Sequence, residues 1–204
     1  MRNLWVGDGL GSVHRGLVRS ITWPTRCVLA IAVLSLAMPA SAQVEPSGTV
    51  TRSPAEIVKN YVRLDMKGAR LDAMSFDALR PYIEWNEEPA WRSVVVIQDV
   101  DVPEDYRKWE IINNLEVVIP VTFHVRGSVH FDTAVFVPEE KTEEVRFHVK
   151  GVRNEWWRIV APMVPPHIGL KRMLNFVREA ELHEQDASQR AVLAALADSL
   201  RKSK

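Results

Sequence analysis

The sequence predicts an α+β protein: helices first, then a run of antiparallel strands packed on them, then extra C-terminal helices. Three observations carry that reading. Ser53-Pro54-Ala55-Glu56 has the chemistry of a helix start, period-two alternation dominates Val94–Ala161, and three-to-four spacing returns after Leu170.

The first helix is the best signed. Ser53 can cap a free backbone N–H, Pro54 suits the first helical position, and Glu56 can complete a capping box. Ile57, Val58, Tyr61, Val62 and Asp65/Met66 share one face, and Gly68 is the stop. A helix over Pro54–Lys67 is about 21 Å long at 1.5 Å per residue. A shorter helical segment is expected within Leu71–Leu79, with Leu71, Met74 and Leu79 as its contacts, ended by Pro81. Tyr82–Trp85 reads as a short strand and Asn86–Pro89 as a polar turn.

The strands follow. Val94–Val102 is β-rich with a wet side at Gln98, Asp99 and Asp101. Tyr106–Asn114 fits a strand or a helical turn. Val117, Ile119, Val121, Phe123 and Val125 point one way, and Val118, Pro120, Thr122, His124 and Arg126 the other. Pro120 places this strand at an edge or against a gap in pairing, and Gly127-Ser128 breaks or bulges it. Thr133–Val137 reads as a short strand, Pro138–Lys141 as a turn, and Glu144–Val152 as the next strand. Arg153-Asn154-Glu155 is a tight connection to Trp156–Ala161, which Pro162, Pro165 and Pro166 stop. Leu170, Met173, Leu174, Val177 and Ala180 then make one helical face, and Asp186 caps a second helix striped by Val192, Leu193, Leu196 and Leu200.

Composition bounds the function. Residues 1–42 combine a basic lead (Arg2, Arg15, Arg19, Arg26), the apolar run Cys27–Ala37 and a small-residue end at Ala40-Ser41-Ala42. These are the parts of a secretory signal peptide, and the run is too short to span a membrane. Cleavage after Ala42 leaves Gln43 first and sends the chain to the periplasm or the medium. Residues 43–52 read as a flexible leader, 53–168 as the α+β domain and 169–204 as the helical extension. Removing Arg2, Arg15, Arg19, Arg26 and Asp8 leaves 22 basic and 25 acidic residues, a net charge of −3 with histidine neutral. That balance gives no footprint for nucleic acid. Cys27 is the only cysteine and leaves with the signal, so no disulfide, thiol nucleophile or cysteine ligand remains.

Ser53–Val62 leading to Gly68, together with Trp156-Trp157-Arg158-Ile159-Val160-Ala161-Pro162, resembles the first helix and last strand of the nuclear-transport-factor-two / ketosteroid-isomerase superfamily. The resemblance covers about Ser53–Gly169. It implies a cone: a strongly curved antiparallel sheet wrapped on helices, with a pocket between them and dimerisation through the sheet. The superfamily's isomerase uses a buried Asp base with a Tyr and a protonated Asp as oxyanion donors. Tyr61 falls at the place of that tyrosine, and Glu84 is the substitute for the base. Where the protonated Asp would lie, the late strands carry Val, Phe, His and Arg.

A catalytic reading therefore rests on Tyr61 and Glu84 alone, two members of an incomplete set. Tyr61, Trp85, Trp109, Phe123, Phe147, Trp156 and Trp157 are the residues for a ligand pocket or an interface. Trp156 and Trp157 must face opposite sides of their strand, one toward the core and one toward the outer face or a partner. His124 and His148 share the polar phase of two strands without a third ligand at legible spacing, so no metal site and no cofactor is assigned. The expected function is an exported, non-enzymatic module binding an apolar small molecule or a protein. A pocket enzyme of isomerase or hydrolase type is the alternative, and a structural assembly module is another. The partners are then a second copy through the sheet, or a protein at the C-terminal helix.

Overall fold

The computed structural model describes residues 53–71, 73–152 and 156–203. The signal segment, the leader, the Arg153–Glu155 connection and the contact expected of Met74 fall outside what it describes. The fold class is α+β as the sequence predicts, with a strongly curled mixed sheet, an N-terminal helix and two C-terminal helices. The elements run α1 (Pro54–Met66), α2 (Ala73–Phe76), β1 (Ser93–Asp101), β2 (Glu110–Asn113), β3 (Glu116–His130), β4 (Val135–Val152), β5 (Trp156–Ala161), β6 (His167–Gly169), α3 (Leu170–His183) and α4 (Ala187–Lys202). The sheet order is β5-β4-β3-β1-β6, with β2 also pairing β3. Among the described residues no helix is long and apolar enough to cross a membrane.

Helix α1 starts and stops as its sequence dictates. Ser53 accepts a bond from the Glu56 N–H at 3.2 Å. At the other end Gly68 takes φ +85°, and its N–H bonds Asp65 O while the Ala69 N–H bonds Leu64 O. This pair of bonds is the Schellman ending, which needs a left-handed residue at that place. The turn sends the chain back along α1, so Arg70 lies beneath the helix it has just left.

The long hairpin β3–β4 forms the wall of the curl. The sequence predicts a turn at Pro138–Lys141, but β4 runs straight through it and stays paired with β3. Val125 pairs Lys141 and Gly127 pairs Pro138, so Glu139 and Glu140 oppose Arg126 alone. The turn-forming residues mark a bulge here, because the ladder on either side holds them extended. A bulge also shifts side-chain parity. Phe136 faces inward before it and Val145, Phe147 and Val149 after it, keeping one concave face apolar. In β1 the shifts at Val96/Ile97 and Ile97/Asp99 do the same for Val94, Val96 and Ile97. Pro120 pairs Arg146 on one side, and on the other it lies between the β1 ladder, which ends at Thr122, and the β2 ladder, which ends at Val118. A residue with no N–H to donate sits where a partner strand is missing.

Two further readings change. His167–Gly169, just after the proline stop, pairs with β1 as a short parallel strand, so the sheet is mixed rather than purely antiparallel. Tyr82–Trp85 contributes a single bridge, Ile83 to Ile159, and Tyr106–Asn114 divides into a 3-10 turn and β2. Helix α1 packs on one half of the concave face, around Ile119, Val121, Phe123, Phe147 and Ile159. Helices α3 and α4 pack on the other half through Met173, Val177, Leu196, Ala197 and Leu200, against Val94, Val96, Val129 and Phe136. Each of these Val, Ile, Leu, Phe and Met side chains contributes about 1.5–3 kcal/mol by leaving water. Val192, placed in the α4 stripe by its spacing, is 40% exposed.

Gly127 has φ +152°, and a Cβ there would lie 2.3 Å from Val137 O. Gly127→Ala is expected to lower stability by about 1–3 kcal/mol, read as a lower urea midpoint with an unchanged slope.

Candidate functional site

The residues singled out from the sequence lie mostly in the core. Tyr61, Phe123 and Phe147 are at most 1% exposed, and their rings meet edge to face. Trp85 packs edge-on against Tyr61 at 6.3 Å, and Trp109 donates its indole N–H to Pro103 O at 2.8 Å. Trp157 packs against the main core while Trp156 is 54% exposed, the opposite-sided arrangement that a strand imposes. Where the resemblance implies a pocket, the concave side is filled at Tyr61, Phe123 and Phe147. Glu84 is exposed, and its backbone N–H bonds Ile159 O. The Tyr61 hydroxyl meets Arg70, so the two residues of the catalytic reading share no hydrogen bond. His124 lies near Asp99 and His148 near Glu116, in separate pairs. Among the described residues no three His, Cys, Asp or Glu gather to hold a metal.

Sequence reasoning missed the buried polar cluster around Arg70. Tyr61 and Asp65 are one helical turn apart on α1 and face the same way. The Gly68 turn brings Arg70 to both: its Nη1 donates to Tyr61 Oη at 3.2 Å and to Asp65 Oδ2 at 3.3 Å. Its Nη2 donates to Val164 O at 2.6 Å and its Nε to Glu88 Oε2 at 2.9 Å. Glu88 also accepts the indole N–H groups of Trp85 and Trp91. Asp65 Oδ2 accepts the His167 backbone N–H at 2.9 Å. The Asp65 and Arg70 side chains are 3% and 1% exposed.

Burial raises the Asp65 carboxyl to about 6 against the opposing pull of Arg70 and the His167 N–H. Burial likewise lowers the His167 ring to about 4. Its Nδ1 lies 2.8 Å from Pro165 O, which can only accept, so Nδ1 carries the proton. Asp65 Oδ1 and His167 Nε2 are left buried without a hydrogen-bond partner among the described residues. Arg70 has its donors engaged by four acceptors on three separate segments, so this cluster is a fastening. A cleft of about 530 Å³ opens beside it, walled by Phe76, Trp91, Phe131 and Pro166, with Glu87 and Glu88 on its rim.

A second cleft, of about 1040 Å³, has a different character. The last turn of α1 supplies Arg63, Met66 and Lys67, the sheet supplies Gln98 and Arg126, and α4 supplies Arg201. Strand β6 supplies Gly169 and α3 supplies the rest, with Lys171, Leu174, Asn175 and Arg178 on one helical face. Seven of its thirteen lining residues are Lys or Arg and none is Asp or Glu. Arg126 pairs with Glu140 and bonds Gln98, Arg201 pairs with Asp198, Arg63 bonds Asn60, and Arg172 donates to Lys67 O. The Lys67, Lys171 and Arg178 side chains form no ion pair with any described residue. The sequence hides this site because its cations lie on four separate elements of a chain with zero net charge.

Replacing Arg70 by Met would leave Asp65 and Glu88 buried without their cation. The expected cost is about 3–5 kcal/mol, measured by urea unfolding at pH 7. The pH dependence carries a second test. Asp65 binds its proton more tightly folded than unfolded, so the stability of its protonated form is lost as pH rises from about 4 through about 6. His167 binds its proton more tightly unfolded, so stability falls as pH drops from 6.5 toward about 4. The two slopes oppose in the same window. Asp65→Asn removes the first, and the variant is expected to lose stability on acidification more steeply than the native chain, by at most about 1.4 kcal/mol per pH unit. Melting curves from pH 4 to 7 read that slope. Comparison of the chain with family models, with curated proteins and with solved structures finds no match in any of the three.

Proposed function

We propose that the chain is an exported, non-enzymatic binding module of the cone-fold type, and that it holds an anionic ligand in the cleft between α1, α3 and the end of α4. The export reading is supported by the basic lead, apolar run and small-residue end of residues 1–42. The cone-fold reading is supported by the resemblance at Ser53–Gly68 and Trp156–Pro162, and by a curled sheet that closes on α1. The single observation that carries the ligand is the lining: seven cations, no carboxylate, and five of the cations without an ionic partner among the described residues. A concave wall of one sign focuses the field and draws the opposite charge. Overall composition does not account for it, since the chain carries 26 basic and 26 acidic residues.

The enzyme reading has less support, because the Tyr61 hydroxyl is engaged by Arg70 within the core and Glu84 stands at the surface. Native mass spectrometry of the chain purified from the cell that makes it is expected to find one acidic adduct per chain. The Lys67→Glu, Lys171→Glu, Arg178→Glu triple variant, changed only at exposed positions, should lose at least nine-tenths of that adduct. An adduct retained unchanged on the variant, or a native chain that carries none, would sink the proposal.

A further inference from the structure

We infer that the ligand of this cleft is a single-chain anionic amphiphile, its head held by the unpaired cations and its alkyl chain laid along Met66, Leu170 and Leu174; this rests on the anion-binding reading above. The first reason is electrostatic. Lys171 and Arg172 stand in the first turn of α3, at the positive end of its dipole, and that turn has no acidic residue and no side-chain cap. Cations there raise the free energy of the helix, and a bound anion reverses the sign of the interaction. Lys67 lies beside this turn, since its carbonyl accepts the Arg172 Nε–H at 3.1 Å.

The second reason is the apolar floor. Leu170 and Leu174 are one helical turn apart, and with Met66 they remain partly exposed within the cleft. A hydrated inorganic anion gains nothing from them, and a neutral lipid gains nothing from the cations. Lys and Arg stems extend the apolar surface while their heads stay at the rim, and the Met66 thioether adapts to a chain of variable shape. The third reason is size. About 1040 Å³ is at the upper end of small-molecule clefts, which run from roughly 300 to 1000 Å³, and exceeds what a lone head group fills. The cations line a concave cleft rather than a protruding face, a shape that receives a monomer better than the flat surface of a bilayer.

Calorimetric titration with dodecyl phosphate, held below its micelle concentration, tests this. One molecule is expected to bind per chain, with affinity rising at least about threefold for each two carbons from octyl to dodecyl. The Lys171→Glu, Arg178→Glu double variant should bind at least about tenfold more weakly. It should also stay folded, because Lys171→Glu supplies the acidic residue that the first turn of α3 lacks. Inorganic phosphate binding as tightly as dodecyl phosphate overturns the amphiphile and leaves the anion site standing. Dodecyl maltoside binding as tightly, or an unweakened double variant, overturns both. No binding of any of the three also overturns both. Binding to phosphatidylglycerol vesicles without binding to monomeric dodecyl phosphate overturns the bound monomer in favour of a membrane surface.

Discussion

The Arg70 guanidinium fixes how the pieces of this domain meet. It bonds Tyr61 and Asp65 on α1, Glu88 in the segment after Trp85, and the Val164 carbonyl in the proline-rich run before β6. Asp65 adds the His167 N–H, so α1, two loops and the parallel edge strand share one buried knot. Such a knot contributes little net stability, because taking the charges out of water costs nearly what their attraction returns. Its effect is on geometry. A shift of α1 on the sheet would part Arg70 from Asp65 or Glu88, and an unsatisfied buried carboxylate is costly.

From that fixed point the sheet sets the rest. Irregularities in β1 and in the β3–β4 hairpin change parity so that the concave face stays apolar along its whole length. One half of that face is closed by α1 and the other by α3 and α4. The basic cleft forms where the two closing layers adjoin, from the last turn of α1 and the first turns of α3. The uncapped start of α3 is placed there by β6, whose parallel pairing with β1 at Val95–Ile97 decides where the helix begins.

Legibility in the sequence followed the range of the interactions. The cap at Ser53, the stop at Gly68, the cap at Asp186 and the alternation of Val117–Val125 were readable, since each depends on neighbours within a few residues. Trp156 and Trp157 were readable as opposite-sided for the same reason. Pro138–Lys141 misled: its residues favour a turn, and only the ladder with β3 shows that they form a bulge. Tyr61 was singled out for its place on α1, but its partner at Arg70 depends on the reversal at Gly68 and on a buried position that composition does not reveal.

Residue order alone carries the fold class, both ends of α1, the start of α4, the phase of the long strands and an N-terminal segment with the pattern of an export signal. Those properties are set by local backbone preference and by hydrophobic periodicity, which are written into adjacent residues. Three-dimensional packing alone sets that Tyr61, Phe123 and Phe147 fill the core, that Arg70 joins three separate segments, and that seven cations from four elements line one cleft. Charges spread from Arg63 to Arg201 cancel in any count along the chain. They act together only once the fold has brought them within reach of one another, because electrostatic interactions depend on distance in space and not on separation in sequence.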